Sequence, residues 1–368
     1  MSELAQAMTM GGPIGPRMRI DGREVDYFCG TSYFALHGHT SVIDAACDAT
    51  RRFGMGPGTL ASVPVYDELQ QALRDWFAAE HVTFLISGYV SPMALLQAVC
   101  EPGDLLLMDA ATHYAVRDAV PTLDLPVARF HHLSPDDLAE TLRRELKPGQ
   151  RPVVITDGVF PSSGRLAPLA DYDEVLGGYE EALLCIDDSH GFGILGEGGR
   201  GTLEHFGTES ARRYAAGTLS KAFGALGGVI PGDAALATRL RKRARILRGA
   251  SPPPPAAAGA ALAALRLLKA DPSFRQRLRA NVKQMRSGLR ELGFELPDNP
   301  VPIVTLRDDG RDLAALAAAL AERDILVKLT PASGYSDAPP MPTLRIAVFS
   351  EHSPEQIDRL IRSVAELA

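Results

Sequence analysis

Short apolar segments alternate with segments of helical periodicity through most of the chain. Apolar residues recur at helical spacing in Val42–Phe53, Tyr66–Ala78, Pro92–Val99 and Pro135–Leu146, which predicts four helices. The predicted strands are short, apolar and rich in β-forming residues, and they are His81–Ile86, Leu105–Met108, Val127–Phe130, Val153–Thr156 and Leu183–Ile186. This alternation predicts an α/β fold with a mostly parallel sheet covered on both faces. Such sheets carry their functional loops at the carboxyl ends of the strands.

The amino-terminal part departs from this alternation. Residues 1–20 are rich in Gly, Pro and Met, which predicts a loose arm. A strand pair is expected around Arg19–Ile20 and Val25–Phe28, because Asp21-Gly22 between them is a typical hairpin turn. We therefore expect residues 1–40 to form an arm with short strands.

The carboxyl-terminal part also changes character. After the glycine-rich stretch Gly224–Gly232, we expect a basic helix Ala234–Arg248, a break at Ser251–Pro255 and a long alanine-rich helix from about Ala256 to Leu292. The last predicted elements are the strands Pro302–Leu306 and Leu344–Val348 and the helices Leu313–Arg323 and Pro354–Ala368. We expect a large α/β domain over residues 41–235, then a linker helix and a smaller α+β domain over 236–368.

Composition narrows the classes of partner. The chain has 368 residues, 46% of them hydrophobic, and a formal net charge of −7. That charge disfavours a nucleic-acid or anionic-membrane partner, since either requires a basic face. No stretch reaches the ~18 uninterrupted apolar residues of a membrane span, and the amino terminus has no signal-peptide core. A cytoplasmic protein that binds small molecules is expected.

Four cysteines, Cys29, Cys47, Cys100 and Cys185, are scattered through the chain without CxxC spacing. Their apolar surroundings predict buried thiols in a reducing compartment rather than disulfides or a metal site.

A candidate site follows the strand Leu183–Ile186 in CIDDSHGFGILGEGGRG. Its glycines match a GxGxxG pattern, but a dinucleotide fold is disfavoured because four polar residues precede the first glycine and no helix can begin at the last. Asp187 and His190 stand where parallel sheets present their chemistry. A partly buried carboxylate needs a cationic partner, and a protonated pyridinium nitrogen would serve; a strand-end Asp that caps the next loop is the alternative.

Lys221 stands in GTLSKAFGALGG, among small uncharged residues after the predicted strand Arg213–Leu219. Desolvation lowers the pKa of a lysine, and a neutral amine can attack an aldehyde, so this setting suits Schiff-base chemistry. Thr218 and Ser220 could donate hydrogen bonds to a phosphate. Lysines lie more often at exposed positions of helices, and this is the alternative for Lys221.

Three further segments hold candidate ligands. Ser87, Gly88 and Tyr89 lie between a strand and a helix, where backbone N–H groups favour an anion, although such turns are common. His113 follows a strand and could stack on a flat cofactor, or be ordinary structure. Arg345 lies within an apolar strand and needs a counter-charge, which either a substrate carboxylate or an internal salt bridge would supply.

Taken in order, these segments resemble the α-oxoamine synthase family of fold-type-I enzymes that depend on pyridoxal 5'-phosphate (PLP). The resemblance covers nearly the whole chain, from FCGTSYFALHGHTSVIDAA through SGYVSPMALLQAV, DAATHYAVRDA, DGVFPSSGRLAPLADY, IDDSHGFGILGEGGRG and GTLSKAFGALGG to LRIAVFSEHSPEQIDRL. It implies a seven-stranded, mostly parallel sheet and a homodimer with its site at the interface.

The resemblance also implies a role for each matching position. Lys221 would carry PLP as a Schiff base, and Asp187 would pair with the pyridinium nitrogen. The other implied ligands are His190 near the ring hydroxyl, His113 stacked on the ring, Ser87, Gly88, Tyr89 and Thr218 at the phosphate, Arg345 and Tyr33 at the substrate, and Ser251 at the cofactor of the other subunit. No metal is expected.

The chain departs from the family pattern around the substrate. The segment Thr59–Tyr66 lacks an expected arginine, and Lys328 stands in a segment, VKLTPASGYSDAPPMP, where an arginine is usual. Ser32 and Pro161 also differ from the family pattern.

The leading interpretation is a PLP-dependent acyltransferase that condenses an amino acid with an acyl thioester, with decarboxylation, to an α-oxoamine. Aminotransfer, or an aldolase or decarboxylase reaction on an amino acid, begins from the same cofactor adduct and is the first alternative. A non-catalytic partner subunit is the second, and the presence of Lys221, Asp187, His113 and His190 weighs against it.

Overall fold

The computed structural model describes residues 8–56, 58, 61–307, 310–330 and 342–367. The strands are β1 (Arg17–Ile20), β2 (Arg23–Tyr27), β3 (His81–Leu85), β4 (Leu105–Asp109), β5 (Val127–Phe130), β6 (Pro152–Asp157), β7 (Leu183–Asp187), β8 (Arg213–Thr218), β9 (Gly228–Gly232), β10 (Ile303–Arg307), β11 (Ile325–Leu326), β12 (Lys328–Thr330) and β13 (Thr343–Ala347). The helices are α1 (Thr40–Phe53), α2 (Pro64–Phe77), α3 (Ser91–Val99), α4 (Tyr114–Ala119), α5 (Pro135–Glu145), α6 (Leu169–Leu176), α7 (Thr202–Phe206), α8 (Ala234–Arg243), α9 (Ile246–Gly249), α10 (Pro255–Ala270), α11 (Ser273–Glu291), α12 (Leu313–Glu322) and α13 (Pro354–Leu367).

A seven-stranded sheet forms the centre of the fold, in the order β3-β9-β8-β7-β6-β4-β5. The five strands β4 to β8 pair in parallel, and β9 pairs antiparallel with both β3 and β8. The predicted α/β class and mostly parallel sheet are therefore confirmed. Two three-stranded sheets, β1-β2-β11 and β10-β13-β12, complete the described strands.

Successive residues of the parallel strands contribute to different apolar clusters. Leu105 and Leu107 of β4 belong to one cluster, whereas Leu106 and Met108 belong to another. Because side chains alternate across a strand, the sheet is covered on both faces, as the continuous apolar segments predict. The larger cluster also includes residues of α10 and β13, and the domain boundaries stay a prediction.

The glycine-rich stretch Gly224–Gly232 contains the strand β9, which was not predicted because its composition is unusual for a strand. β9 lies between β3 and β8, where a Cβ on Gly228 would be 2.1 Å from the Ser91 Oγ atom and 2.5 Å from the Ser87 carbonyl oxygen. The strand therefore requires glycine for close packing rather than the bulky residues that usually signal a strand.

Two predicted helices are each divided in the structure. The basic helix ends at Arg243 and a short helix follows from Ile246, because Ala244 is extended and fully buried. The alanine-rich helix is wrong as one element: it breaks at Asp271, which is extended (ψ 91°) and precedes Pro272. A residue before proline disfavours the helical conformation, and proline offers no N–H for the helix ladder.

The predicted burial of all four thiols is wrong for Cys47. Cys29, Cys100 and Cys185 are buried, whereas Cys47 is exposed on α1, whose buried face carries Val42 and Ala49. Within the described part of the chain, no helix combines the length and apolar character needed to cross a bilayer.

Candidate active site

The carboxyl-terminal edge of the seven-stranded sheet borders a cavity of about 200 Å³, here called the lysine cavity. Loops that follow β3, β4, β6, β7 and β8 form its walls, because the loops of parallel strands meet at one edge. The lining residues that the sequence predicted are Ser87, Gly88, Tyr89, His113, Asp187, His190, Thr218, Ser220 and Lys221. The other lining residues are Ala115, Asp157, Val159, Pro161 and Ser189.

Lys221 is held in a tight loop between β8 and β9. The Leu219 N–H donates to the Gly227 carbonyl oxygen at 2.9 Å, and the Gly224 N–H donates to the Lys221 carbonyl oxygen at 3.1 Å. Burial lowers the pKa of the Lys221 amine to about 8, against the opposing effect of nearby Asp187 and Asp157. A useful fraction of the amine is therefore neutral, and nucleophilic, near neutral pH.

Two carboxyl groups face Lys221 from adjacent strands. Asp187 ends β7 and accepts a hydrogen bond from the Ser189 N–H at 3.1 Å. Asp157 ends β6 and pairs directly with Asp187 in the parallel register. Burial raises the pKa of Asp157 well above its usual value, and Asp187 raises it further. The pair is suited to hold one negative charge and one proton.

His113 begins α4 and presents its imidazole to the lysine cavity. Its Nδ1 accepts the Ala115 N–H at 3.2 Å, which leaves the proton of the neutral ring on Nε2. Burial lowers the pKa of His113 below its usual value, so the neutral form is favoured. The Tyr89 ring stands edge-on to the imidazole, with the centroids 6.2 Å apart.

His190 lines the same cavity, with Tyr33 behind it. A hydrogen bond of 2.7 Å joins the Tyr33 hydroxyl to the His190 Nδ1 atom. Burial lowers the pKa of His190 well below its usual value, and the Lys221 charge adds to the effect. Tyr33 is fully buried and is not among the lining residues, so it acts on this cavity through His190.

Hydroxyl groups and a helix amino terminus cluster at one end of the cavity. Ser87 caps the turn before α3 by accepting the Tyr89 N–H at 3.2 Å. A Cβ on Gly88 would lie 2.3 Å from the Thr218 Cβ atom, so only glycine permits this approach. Thr218 and Ser220 are joined by a hydrogen bond of 2.7 Å between their hydroxyls. These groups are suited to hold an anion and are here called the anion cradle.

Arg345 lines a neighbouring cavity of about 420 Å³, here called the arginine cavity, which shares Pro161 with the lysine cavity. Its guanidinium donates from Nε to the Pro161 carbonyl oxygen and from Nη1 to that of Gly30, both at 3.0 Å. No carboxylate in the described ranges lies within ion-pair distance of Arg345, so the internal salt bridge considered from the sequence is not found there.

Lys328 lies directly opposite Arg345 in the antiparallel register of β12 and β13, and it lines the arginine cavity too. Burial lowers the pKa of Lys328, and the Arg345 charge lowers it further. Like charges at directly opposite positions of two adjacent strands destabilise the pairing.

Other predicted features lie elsewhere. Ser251 is exposed and does not line the lysine cavity. Residues 59 and 60 of the divergent segment Thr59–Tyr66, and residues 331–341 of the segment after Lys328, lie outside the described residues.

The sequence argument missed Asp157, although its signal was available. The acid directly follows the predicted strand Val153–Thr156, as Asp187 follows Leu183–Ile186. Without the strand order, nothing placed these two strands side by side; the structure makes them neighbours.

Comparison with known proteins gives consistent results over almost the full chain. A family model for aminotransferase class I and II matches residues 31–364. The 8-amino-7-oxononanoate synthase of Thermosipho melanesiensis is 32% identical over 95% of this chain and 90% of its own length. The enzyme of the same name from Thioalkalivibrio sulfidiphilus is 34% identical, again over 95% of this chain and 90% of its own length.

The solved structure of the serine palmitoyltransferase of Sphingomonas wittichii superposes with a TM-score of 0.89 at 26% identity. The match covers 98% of this chain and 92% of that one.

Proposed function

The chain belongs to the aminotransferase class I and II family and, within it, to the α-oxoamine synthases, and from this premise we propose that it is a PLP-dependent acyltransferase. It would condense an amino acid with an acyl thioester, release carbon dioxide and the thiol, and yield an α-oxoamine. The observation that carries the proposal is the partly buried Lys221, whose pKa burial lowers to about 8, set beside Asp187 and the anion cradle in one cavity.

The residues of the lysine cavity fit PLP. Gly88 offers a backbone N–H and Ser220 a hydroxyl for its phosphate at the amino end of α3. The Thr218 hydroxyl donates to the Gly227 carbonyl oxygen at 3.1 Å and would turn towards the phosphate when the cofactor binds. Asp187 offers a carboxylate for the pyridinium nitrogen, and Lys221 offers an amine for the aldehyde. His190, held by Tyr33, offers a ring nitrogen to the cofactor's hydroxyl.

When bound, PLP supplies an electron-withdrawing ring that stabilises negative charge at Cα of the amino acid. Asp187 would pair with the ring nitrogen and favour its protonated form, on which that electron withdrawal depends. Lys221 would hold and move a proton at Cα through its Nζ atom, since burial lowers the pKa of its amine to about 8 and so leaves part of the amine neutral near neutral pH. His113 donates from Nε2 to the carbonyl oxygen of the acyl donor, because its Nδ1 is occupied by the Ala115 N–H.

Arg345 is the proposed ligand of the amino-acid carboxylate. The two carbonyls that it contacts orient the guanidinium but leave its positive charge uncompensated among the described residues. The carboxylate of the amino acid would supply the negative charge that pairs with the guanidinium, through charge-assisted hydrogen bonds. Tyr33 contributes indirectly by fixing His190.

We further propose that two copies associate with their sites at the interface. Tyr89 and Leu226, in the loops that adjoin the lysine cavity, are apolar side chains 46% and 47% exposed, which a second copy would cover. Ser251, which is exposed, would then reach the cofactor of the partner. Sedimentation equilibrium is expected to give twice 39.4 kDa; a fully active monomer would overturn this part.

The test is a two-stage screen of the PLP-loaded protein. Single amino acids are screened by the change in cofactor absorbance, and the responder is then mixed with a series of acyl thioesters while thiol release is measured. Thiol release only when both substrates are present is the expected result. A keto acid formed from the amino acid alone would instead establish aminotransfer, and absence of any absorbance response would overturn the assignment as an enzyme.

A further inference from the structure

A second acid, Asp157, lines the lysine cavity beside Asp187. Asp157 is only 2% exposed, yet it lines the cavity together with Lys221 and Asp187. Its position at the last residue of β6, in register with the last residue of β7, aims both carboxyls at the same edge of the sheet. None of the roles proposed above uses Asp157.

Asp157 is tied to His113 by its own oxygens. The His113 N–H donates to Oδ2 at 3.1 Å and to Oδ1 at 3.3 Å. His113 in turn begins α4 and fixes its imidazole by accepting the Ala115 N–H. The carboxyl of Asp157 therefore sets where α4 starts and, through it, where the imidazole meets the cavity.

The charged groups that face Asp157 come from every neighbouring element. Asp187 faces it from β7, Asp109 from β4, His113 from α4 and Lys221 from the loop after β8. Burial raises the pKa of Asp157, and the two other carboxyls act in the same direction, whereas Lys221 and the His113 N–H oppose them. Two ionised carboxylates at adjacent buried positions repel each other, so one of the pair holds a proton.

We propose that Asp157 is a positioning residue which, as a neutral acid, anchors the backbone of His113 and leaves the negative charge at Asp187. The inference rests on the proposed function, since it concerns the imidazole and the carboxylate that face the cofactor. An ionised Asp157 would compete with Asp187 for the cation that Asp187 faces. A neutral Asp157 leaves that cation to Asp187 alone.

Two substitutions separate anchoring from charge. Asp157→Asn keeps an oxygen that accepts the His113 N–H and is permanently neutral, so kcat and KM are expected to stay within about threefold of the wild type. Asp157→Ala removes the acceptor, and a displacement of the imidazole on the order of 1 Å is expected to lower kcat about 10²-fold. KM for the amino acid is expected to change little, because Arg345 is not affected.

Two readouts do not depend on turnover. Hydrogen–deuterium exchange of the peptide that contains His113 to Ala119 should speed up in Asp157→Ala but not in Asp157→Asn, in the full chain with or without PLP. The pH midpoint of the bound cofactor's absorbance should stay unchanged in Asp157→Asn. Asp104→Ala is the matched control for Asp157→Ala: Asp104 is also buried and accepts a backbone N–H, that of Glu101 at 2.7 Å, but it does not line the cavity, so exchange of the His113 to Ala119 peptide should stay unchanged.

The outcomes are decisive in both directions. A fall in kcat of more than about 30-fold in Asp157→Asn would show that the charge itself acts, and would overturn the proposal. Unchanged exchange and kcat in a folded Asp157→Ala would overturn it too. If Asp157→Ala does not fold, Asp157→Asn alone decides. Exchange results remain valid even if the condensation reaction is absent, so failure of this inference and failure of the proposed function can be told apart.

Discussion

The lysine cavity and the arginine cavity share Pro161 but are built in different ways. The first collects the ends of strands that are hydrogen-bonded into one sheet and the loops that follow them. The second lies between separate segments, which are the residues after β2, the loop at Pro161 and the strands β12 and β13. One sheet therefore sets the relative positions of the loops that carry the cofactor groups, whereas the substrate side depends on how separate segments of the chain pack together.

This difference also explains where the sequence departs from its family pattern. The residues that match the pattern, such as Lys221, Asp187 and His190, line the lysine cavity. Lys328, which differs, lines the arginine cavity, and Pro161, which also differs, lines both cavities. Substitutions in the two regions should consequently affect different measurements.

Lys221→Ala is expected to have the largest effect. Without the amine, turnover should fall by ~10³-fold or more, because both the covalent attachment of PLP and proton transfer at Cα are lost. The measurements are steady-state turnover and the absorbance band that borohydride removes. Lys283→Ala, at an exposed position of α11, should behave as the wild type; equal losses in both variants would contradict the assignment of Lys221.

Arg345→Lys should affect the amino acid and not the cofactor. A lysine cannot offer the forked donors of a guanidinium, so KM for the amino acid should rise about 10- to 100-fold while the PLP dissociation constant stays unchanged. Arg307→Lys, an exposed position on the adjacent β10, is the control. Weaker PLP binding in Arg345→Lys would contradict the assignment of separate roles to the two cavities.

Gly88→Ala should instead weaken the binding of the cofactor and leave the binding of the amino acid unchanged. The new methyl group would lie 2.3 Å from the Thr218 Cβ atom and push the anion cradle apart. The PLP dissociation constant is expected to rise about 10- to 30-fold, whereas KM for the amino acid in the loaded fraction stays unchanged. Gly249→Ala, where no heavy atom lies within 4 Å of the added Cβ, should change neither constant.

The smallest expected effect is a pH dependence of PLP capture. The protein without cofactor must use the neutral amine of Lys221, whose pKa burial lowers to about 8. The neutral fraction grows as pH rises, so the capture rate should fall about tenfold per unit below pH ~8 and level off above it. Stopped-flow absorbance from pH 6.5 to 9.5 measures it; a rate still rising steeply at pH 9.5 would indicate an ordinary exposed lysine.

Local patterns were enough to predict most strands and the groups at their ends. Apolar segments placed β4, β5, β6 and β7 within about two residues of their observed bounds, because strands buried on both faces have continuous apolar sequences. The same reasoning failed at β9, where close packing requires Gly228 and conceals the usual strand composition. It also failed at Asp271, where helix propensity outweighed the effect of the following proline in the prediction.

Sequence by itself determined the class of fold, the family and the buried lysine in a loop of small residues, since each of these depends on local composition and on motif order. Only the tertiary structure decided that Asp157 stands beside Asp187, that Tyr33 supports His190, and that Arg345 faces Lys328 across two strands. These are contacts between residues far apart in the chain, and strand order and register fix them through long-range hydrogen bonding that no local pattern encodes.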